Sequence, residues 1–164
     1  FRQVVDALIM RRDEAMRAGR TFGIVIDEVD HICRKKSLLE TLRDITDTLL
    51  VVPMIWVGMA QIRANLTRFP QIASRVGQYV EFQPISLDDT RKLVEGLCEV
   101  SVAEDLVEYL HQVSRGRVRE IKEGIMAIER HGRMNPGAAV DRRSMAGKVL
   151  LNSRDTGRPI KVEA

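Results

Sequence analysis

The chain has 164 residues, 30% of them charged and 45% apolar, with aromatics at only 4%. That balance excludes a disordered polymer and asks for a core built from Ile, Val, Leu and Met. No apolar run approaches the ~18–20 residues of a membrane-crossing helix, and the first residues, a mix of charge and aliphatic side chains, do not form a secretory signal. Cys33 and Cys98 make neither a CxxC pair nor a ligand set, so the expected compartment is a reducing cytoplasm. The net charge of +3 is uneven: residues 112–164 hold 12 Lys/Arg against 6 Asp/Glu, whereas residues 1–111 hold 14 against 17. A basic section of this kind suits a phosphate backbone or, equally, a solvated helical surface.

In chain order, residues 1–18 space Val4, Val5, Leu8, Ile9 and Met16 as an amphipathic helix. The run Ile24-Val25-Ile26 then ends in Asp27-Glu28, reading as a strand buried on both faces, as in parallel sheets. Ser37 is placed to cap a helix with Leu38, Leu39, Leu42, Ile45 and Leu49 inward. A second strand is expected over 51–57, helix and loop over 60–77 broken by Pro70 and Gly77, and a third strand over 78–82. This alternation predicts a parallel α/β sheet.

From Ser86 onward the pattern predicts helices only. One starts beside Asp88 and Asp89. The next opens on Ser101-Val102-Ala103-Glu104 as a capping box and buries Leu106, Val107, Leu110 and Val113. A further helix over 118–131 buries Ile121, Ile125 and Ile128, and a last one is expected over 139–151, followed by a mobile polar tail. The expected division is therefore an α/β part (1–84), an all-helical part (85–151) and a flexible tail (152–164).

The chemistry concentrates at Asp27 and Glu28. Ligands of open α/β sheets sit outside the carboxyl ends of the strands. An Asp there can hold Mg²⁺ against nucleotide oxygens, directly or through water, and an adjacent Glu can deprotonate a water for in-line attack. The alternative is a strand that ends in solvated acids. His31, His111 and His131 read as surface residues, Trp56 as a buried strand residue, and Asp30 has no assigned role.

The stretch Ile24-Val25-Ile26-Asp27-Glu28 resembles the Walker B motif of AAA+ ATPases. The longer Val25-Ile26-Asp27-Glu28-Val29-Asp30-His31 is similar to the subgroup typified by phage Mu transposition protein B. The resemblance runs from about residue 20 to 130. It implies a partial RecA-like (P-loop NTPase) sheet with flanking helices and a helical AAA+ lid, binding ATP and Mg²⁺. It further implies Asp27 on the metal, Glu28 as base, and an arginine finger at Arg75, with Arg68 in reserve. Gly116-Arg117-Val118-Arg119 resembles the Gly-x-x-Arg sensor 2, with Arg119 preferred over Arg117. Met59 stands where the family places a polar sensor after Gly58, and Gln61 is the substitute.

No Gly-x-x-x-x-Gly-Lys-[Ser/Thr] occurs in the 164 residues. With Phe1 as first residue, the expectation is a C-terminal piece of a longer ATPase, inactive alone. The implied function is regulation of DNA transposition: ATP-driven assembly into a ring or filament on double-stranded DNA, with little sequence preference, and delivery of that DNA to a transposase. Arg130, Arg133, Arg142, Arg143 and Lys148 are the DNA-contact candidates. The alternatives are a degenerate AAA+ binding module, another AAA+ branch of origin-recognition or secretion type, and a helicase. The last is disfavoured because Gly58-Met59-Ala60 stands where Ser-Ala-Thr is required.

Overall fold

The computed structural model describes residues 1–49 and 52–163, in two units, Phe1–Glu81 and Phe82–Ala164. In the first unit, α1 (Arg2–Arg17) leads to β1 (Ile24–Ile26), a short α2 (Val29–Ile32), α3 (Lys36–Leu49) and β2 (Met54–Trp56). Then come α4 (Ile62–Leu66) and α5 (Pro70–Ala73). β1 and β2 pair in parallel, with Ile24 opposite Met54 and Ile26 opposite Trp56. A parallel pair cannot be closed by a hairpin; the segment bearing α2 and α3 makes the crossover.

Alternation along the strands sends Ile26 and Trp56 against a cluster around Val29, Leu39, Leu66 and Ile72, and Ile24 and Met54 against one around Val5, Ile45, Leu49 and Val52. The opposite face is bare: Val25 is 65% and Ile55 57% exposed. The expectation of strands buried on both faces therefore fails, because nothing in this unit covers the second face. β2 starts at Met54, and Val51, the expected first residue, lies outside the described residues. Residues 78–82 are not a strand: no ladder partner is available, and Val80 and Phe82 stand 69% and 94% exposed. Leu38, expected inward, is 43% exposed. Ser37 lies inside α3 and caps nothing, its carbonyl accepting from Thr41. Pro70 opens α5 at its first turn, where its missing N–H costs nothing.

The second unit holds α6 (Leu87–Leu97), α7 (Glu104–Ser114), α8 (Val118–Met134), β3 (Val149–Asn152) and β4 (Pro159–Lys161). Its core centres on Leu106, Leu110, Ile121, Ile128, Leu150 and Leu151. Ser86 caps α6, its hydroxyl accepting from Asp89 N–H at 3.1 Å. The Ser101 capping box does not form. α7 starts at Glu104 after Ala103, and the Ser101 carbonyl instead accepts from Val140 N–H at 2.8 Å.

The helix expected over 139–151 is replaced by turns and β3. Asp141 Oδ1 accepts from Ser144 N–H at 2.7 Å, an alternative to helical bonding, and Gly147 takes φ +75°. Within the segment expected as a mobile tail, Pro159–Lys161 returns as β4, antiparallel to β3. This unit is three helices and a hairpin, so it is not all-helical. Among the described residues no helix is long and apolar enough to cross a membrane.

Candidate functional site

β1 delivers Asp27 and Glu28 at its carboxyl end, the position predicted for a ligand-facing acid pair. Asp27 Oδ1 accepts from Glu28 N–H at 2.8 Å, which leaves its second oxygen uncommitted. Glu28 occupies the left-handed region at φ 55°, ψ 36°, and opens α2 without capping it. That conformation is costly for a residue with a long side chain and is stored where surrounding structure enforces it. Here the enforcement is visible: Val29 N–H donates to the Val57 carbonyl at 3.0 Å, Val57 N–H donates to the Ile26 carbonyl at 2.8 Å, and Val29 is fully buried. The Glu28 carboxylate is solvent-exposed, 3.9 Å from His31 Nε2.

A third acid is built into the same strand ends. Asp30 Oδ2 accepts from Met59 N–H at 2.5 Å, joining the turn after β1 to the turn after β2. The approach depends on Gly58, where a Cβ would lie 2.5 Å from that oxygen. The residue at the sensor position thus contributes its backbone N–H to a clasp, independently of its apolar side chain. Sequence reasoning left Asp30 without a role. The available signal was an Asp three residues past the strand-end acid together with a Gly closing the neighbouring strand.

A hollow of about 550 Å³ opens here, with Asp30, Arg34, Gln61, Asn65 and Arg68 among its walls. Asp27 and Glu28 do not line it. Cys33, also on its wall, is buried, and burial followed by the nearby Asp30 charge pushes its thiol above the usual range, making it a poor nucleophile. Among the described residues no group of three His, Cys, Asp or Glu side chains is arranged as a metal cage. A lone carboxylate completed by water and substrate phosphates is an ordinary Mg²⁺ arrangement, and Asp27 fits that donor set.

The remaining candidates are placed as follows. Arg75 makes a two-point bond to Asp47, at 2.8 and 2.9 Å, which holds the Asp47 carboxyl below its ordinary range. Arg68 stands on the hollow. In the second unit, Arg117 is drawn to Asp155 at 3.1 Å and to the buried Glu120 at 3.3 Å, while Arg115 also reaches Asp155. Gly116, at φ +71°, lets the Ile85 carbonyl approach within 2.5 Å of where a Cβ would stand. Arg119, in the first turn of α8, is exposed and meets no carboxylate among the described residues.

Of the DNA-contact candidates, Arg133 is bound to Glu99 and Glu129. Arg142 donates to the Glu163 carbonyl and stacks 4.5 Å from the Tyr109 ring centroid. Lys148 lies 2.8 Å from His131 Nδ1. Arg130 and Arg143 are exposed without an acidic partner among the described residues. His131, expected on the surface, is buried at 7% exposure.

The chain is thus a mixed α/β protein whose small parallel sheet ends in an acid-rich turn. It is similar to a potential ATP-binding protein of Staphylococcus aureus, 40% identical over 72 residues, a stretch that is 44% of this chain and 26% of that protein. The matched stretch therefore spans about a quarter of the relative's length. No family model matches the chain, and no solved structure matches it.

Proposed function

We propose that this chain is the acid-bearing part and lid of an AAA+-type ATPase. The observation that carries the reading is Glu28, held in a strained left-handed conformation at the carboxyl end of a parallel strand, directly after Asp27. Backbone strain kept at the carboxyl end of a parallel strand, where open α/β sheets take their ligands, is a mark of functional placement. The relative's printed description, a potential ATP-binding protein, supports the same direction. In this reading Asp27 holds Mg²⁺, which supplies charge neutralisation at the phosphates. Glu28 Oε takes the proton of the attacking water. Arg119 is the better phosphate-reaching residue, since Asp155 and Glu120 occupy Arg117. Gln61, two residues past Met59 and on the wall of the hollow, stands in for the sensor, and Arg75 serves a neighbouring subunit once released from Asp47. No Gly-x-x-x-x-Gly-Lys-[Ser/Thr] phosphate-cradling loop is among these 164 residues.

The finer assignment is a DNA-binding regulator of transposition that assembles on double-stranded DNA and hands it to a transposase. Its support is the resemblance over Val25–His31 and the basic character of residues 112–164. A second reading, a binding module without hydrolysis, is favoured by Met59 at the sensor position and by the placement of Asp27 and Glu28 outside the hollow.

Steady-state turnover of Mg²⁺-ATP by the complete protein separates the two. Glu28→Gln should keep nucleotide binding and lower turnover at least ~10²-fold, the usual worth of a general base. Unchanged turnover removes Glu28 from the base role, and a complete protein that binds without hydrolysing establishes the module. Duplex binding that is insensitive to salt, or absent with ATP present, removes the DNA assignment.

A further inference from the structure

The outward side of α8 carries Arg119, Lys122, Met126, Arg130 and Arg133 at steps of three and four residues. At 100° per residue these fall within an arc of about 80°, along roughly 20 Å of helix. The opposite side holds Ile121, Ile125 and Ile128, exposed by 0, 3 and 0%. Arg119, Lys122 and Arg130 are exposed, with no ion-pair partner among the described residues. Each of the helix's own acids has a partner. Glu120 is buried and bonded to Arg117 and to Arg154 N–H, Glu123 accepts from the backbone and side-chain amides of Asn152, and Glu129 takes Arg133. Several cations off this stripe are likewise occupied: Arg115 and Arg117 by Asp155, Arg142 by Glu163 and Tyr109.

We propose that this stripe, centred on Lys122 and Arg130, is the phosphate-backbone contact of the chain for double-stranded DNA. The proposal rests on the DNA-binding reading above and narrows its surface from the whole basic section to one helix face. Exposed, unpaired Lys122 and Arg130, on a helix whose apolar side is consumed by its own core, offer charge and length. The stripe lacks the aromatic anchors that mark protein–protein interfaces, and it has no apolar face left to enter a lipid surface. Contacts of this type position a duplex without reading bases, which fits low sequence preference.

The test is fluorescence anisotropy of a labelled 20-base-pair duplex with the 164-residue chain across a salt series, using Lys122→Gln/Arg130→Gln and, as control, Arg115→Gln. Two phosphate contacts predict a log–log salt slope of about −1.8. The double variant should lose at least about tenfold in affinity and flatten the slope by about 1.8, whereas Arg115→Gln, already held by Asp155, should change affinity less than about twofold. If the wild type binds and the double variant binds equally well, the stripe is wrong while the DNA reading stands. If the wild type does not bind the duplex at any salt, the stripe is not a DNA contact of this chain. Equal or tighter binding to phosphatidylserine vesicles overturns the assignment in favour of a lipid surface. Circular dichroism of each variant excludes loss of the helix as the cause.

Discussion

The Asp30 carboxylate and the Met59 backbone N–H, 29 positions apart in sequence, meet at 2.5 Å and hold together the two turns that leave the parallel strands. The acceptor is a carboxyl oxygen at the end of a short contact, and the group is partly solvated. Asp30→Ala should therefore cost about 1–2 kcal/mol. Asn retains an acceptor oxygen and should cost less. Gly58→Ala should imitate Asp30→Ala, because its new Cβ would stand 2.5 Å from the carboxylate oxygen and 3.0 Å from Ile62 Cδ1. If the two changes break one contact, the double variant will be less destabilised than the sum of the singles. Trp56, the only tryptophan, lies on β2 in the first unit, so urea unfolding followed by its fluorescence reads this unit alone. Full additivity would show that the clasp contributes nothing.

His131 makes the second unit sensitive to acid. Its Nδ1 receives Lys148 Nζ at 2.8 Å and Asn135 Nδ2 at 3.2 Å, so it acts as acceptor in a neutral ring that carries its proton on Nε2. Burial first, and the Lys148 charge second, hold its pKa below the ordinary value of 6.5. The unfolded chain therefore binds this proton more readily. Stability is complete above the unfolded value, about 6.5, falls as pH drops below it, and levels off once pH passes the folded value. Urea midpoints by far-ultraviolet circular dichroism at pH 7.5 and 5 should differ more for wild type than for His131→Gln. Equal differences would remove His131 as the source.

Two glycines in the second unit separate space from propensity. A Cβ on Gly132, in α8, would stand 2.8 Å from Val100 Cγ2 and 2.9 Å from Val140 Cγ2, and branched side chains on a closed core cannot step aside. Gly132→Ala should destabilise by about 1–3 kcal/mol despite its better helix propensity. Gly96, near the end of α6, meets nothing within 4 Å, and Gly96→Ala should stabilise by about 0.5 kcal/mol. Thermal unfolding of the pair checks the contrast, and matching signs would refute it.

What could be read from the residues was the periodic part. α1, α6, α7 and α8 and their buried Leu106, Leu110, Ile121 and Ile128 follow from 3.6-residue spacing, and the parallel strand before Asp27-Glu28 follows from an abrupt apolar run. What escaped was set by partners distant in sequence. Val149-Leu150-Leu151 reads as the end of a helix until Gly147 and the Asp155-Thr156-Gly157 turn are weighed together with the returning Ile160. Residues 78–82 have strand composition but no neighbour to pair with. The Asp30 clasp depends on a glycine in the turn after another strand, and the engagement of Arg117 depends on Asp155 in the hairpin turn. Composition flagged the basic section, yet only the fold separates its paired cations, such as Arg117 and Arg142, from exposed unpaired ones such as Lys122 and Arg130.

Glu28 allows stability and activity to be read in opposite directions. At φ 55° it sits where glycine carries no Cβ penalty, and its side chain makes no capping bond to repay that cost. If the residue is kept for chemistry, Glu28→Gly should stabilise the first unit by about 0.5–1 kcal/mol, the usual gain from relieving a strained left-handed position less the added freedom of the unfolded chain. The same substitution should abolish turnover in the complete protein. Trp56 fluorescence in urea measures the first effect, and phosphate release with Mg²⁺-ATP the second. Stabilisation with turnover intact would make Glu28 an ordinary turn residue. Loss of both stability and turnover would mean that its side chain supports the turn rather than the reaction. Only a gain in stability joined to a loss of turnover matches a carboxylate held under strain for catalysis.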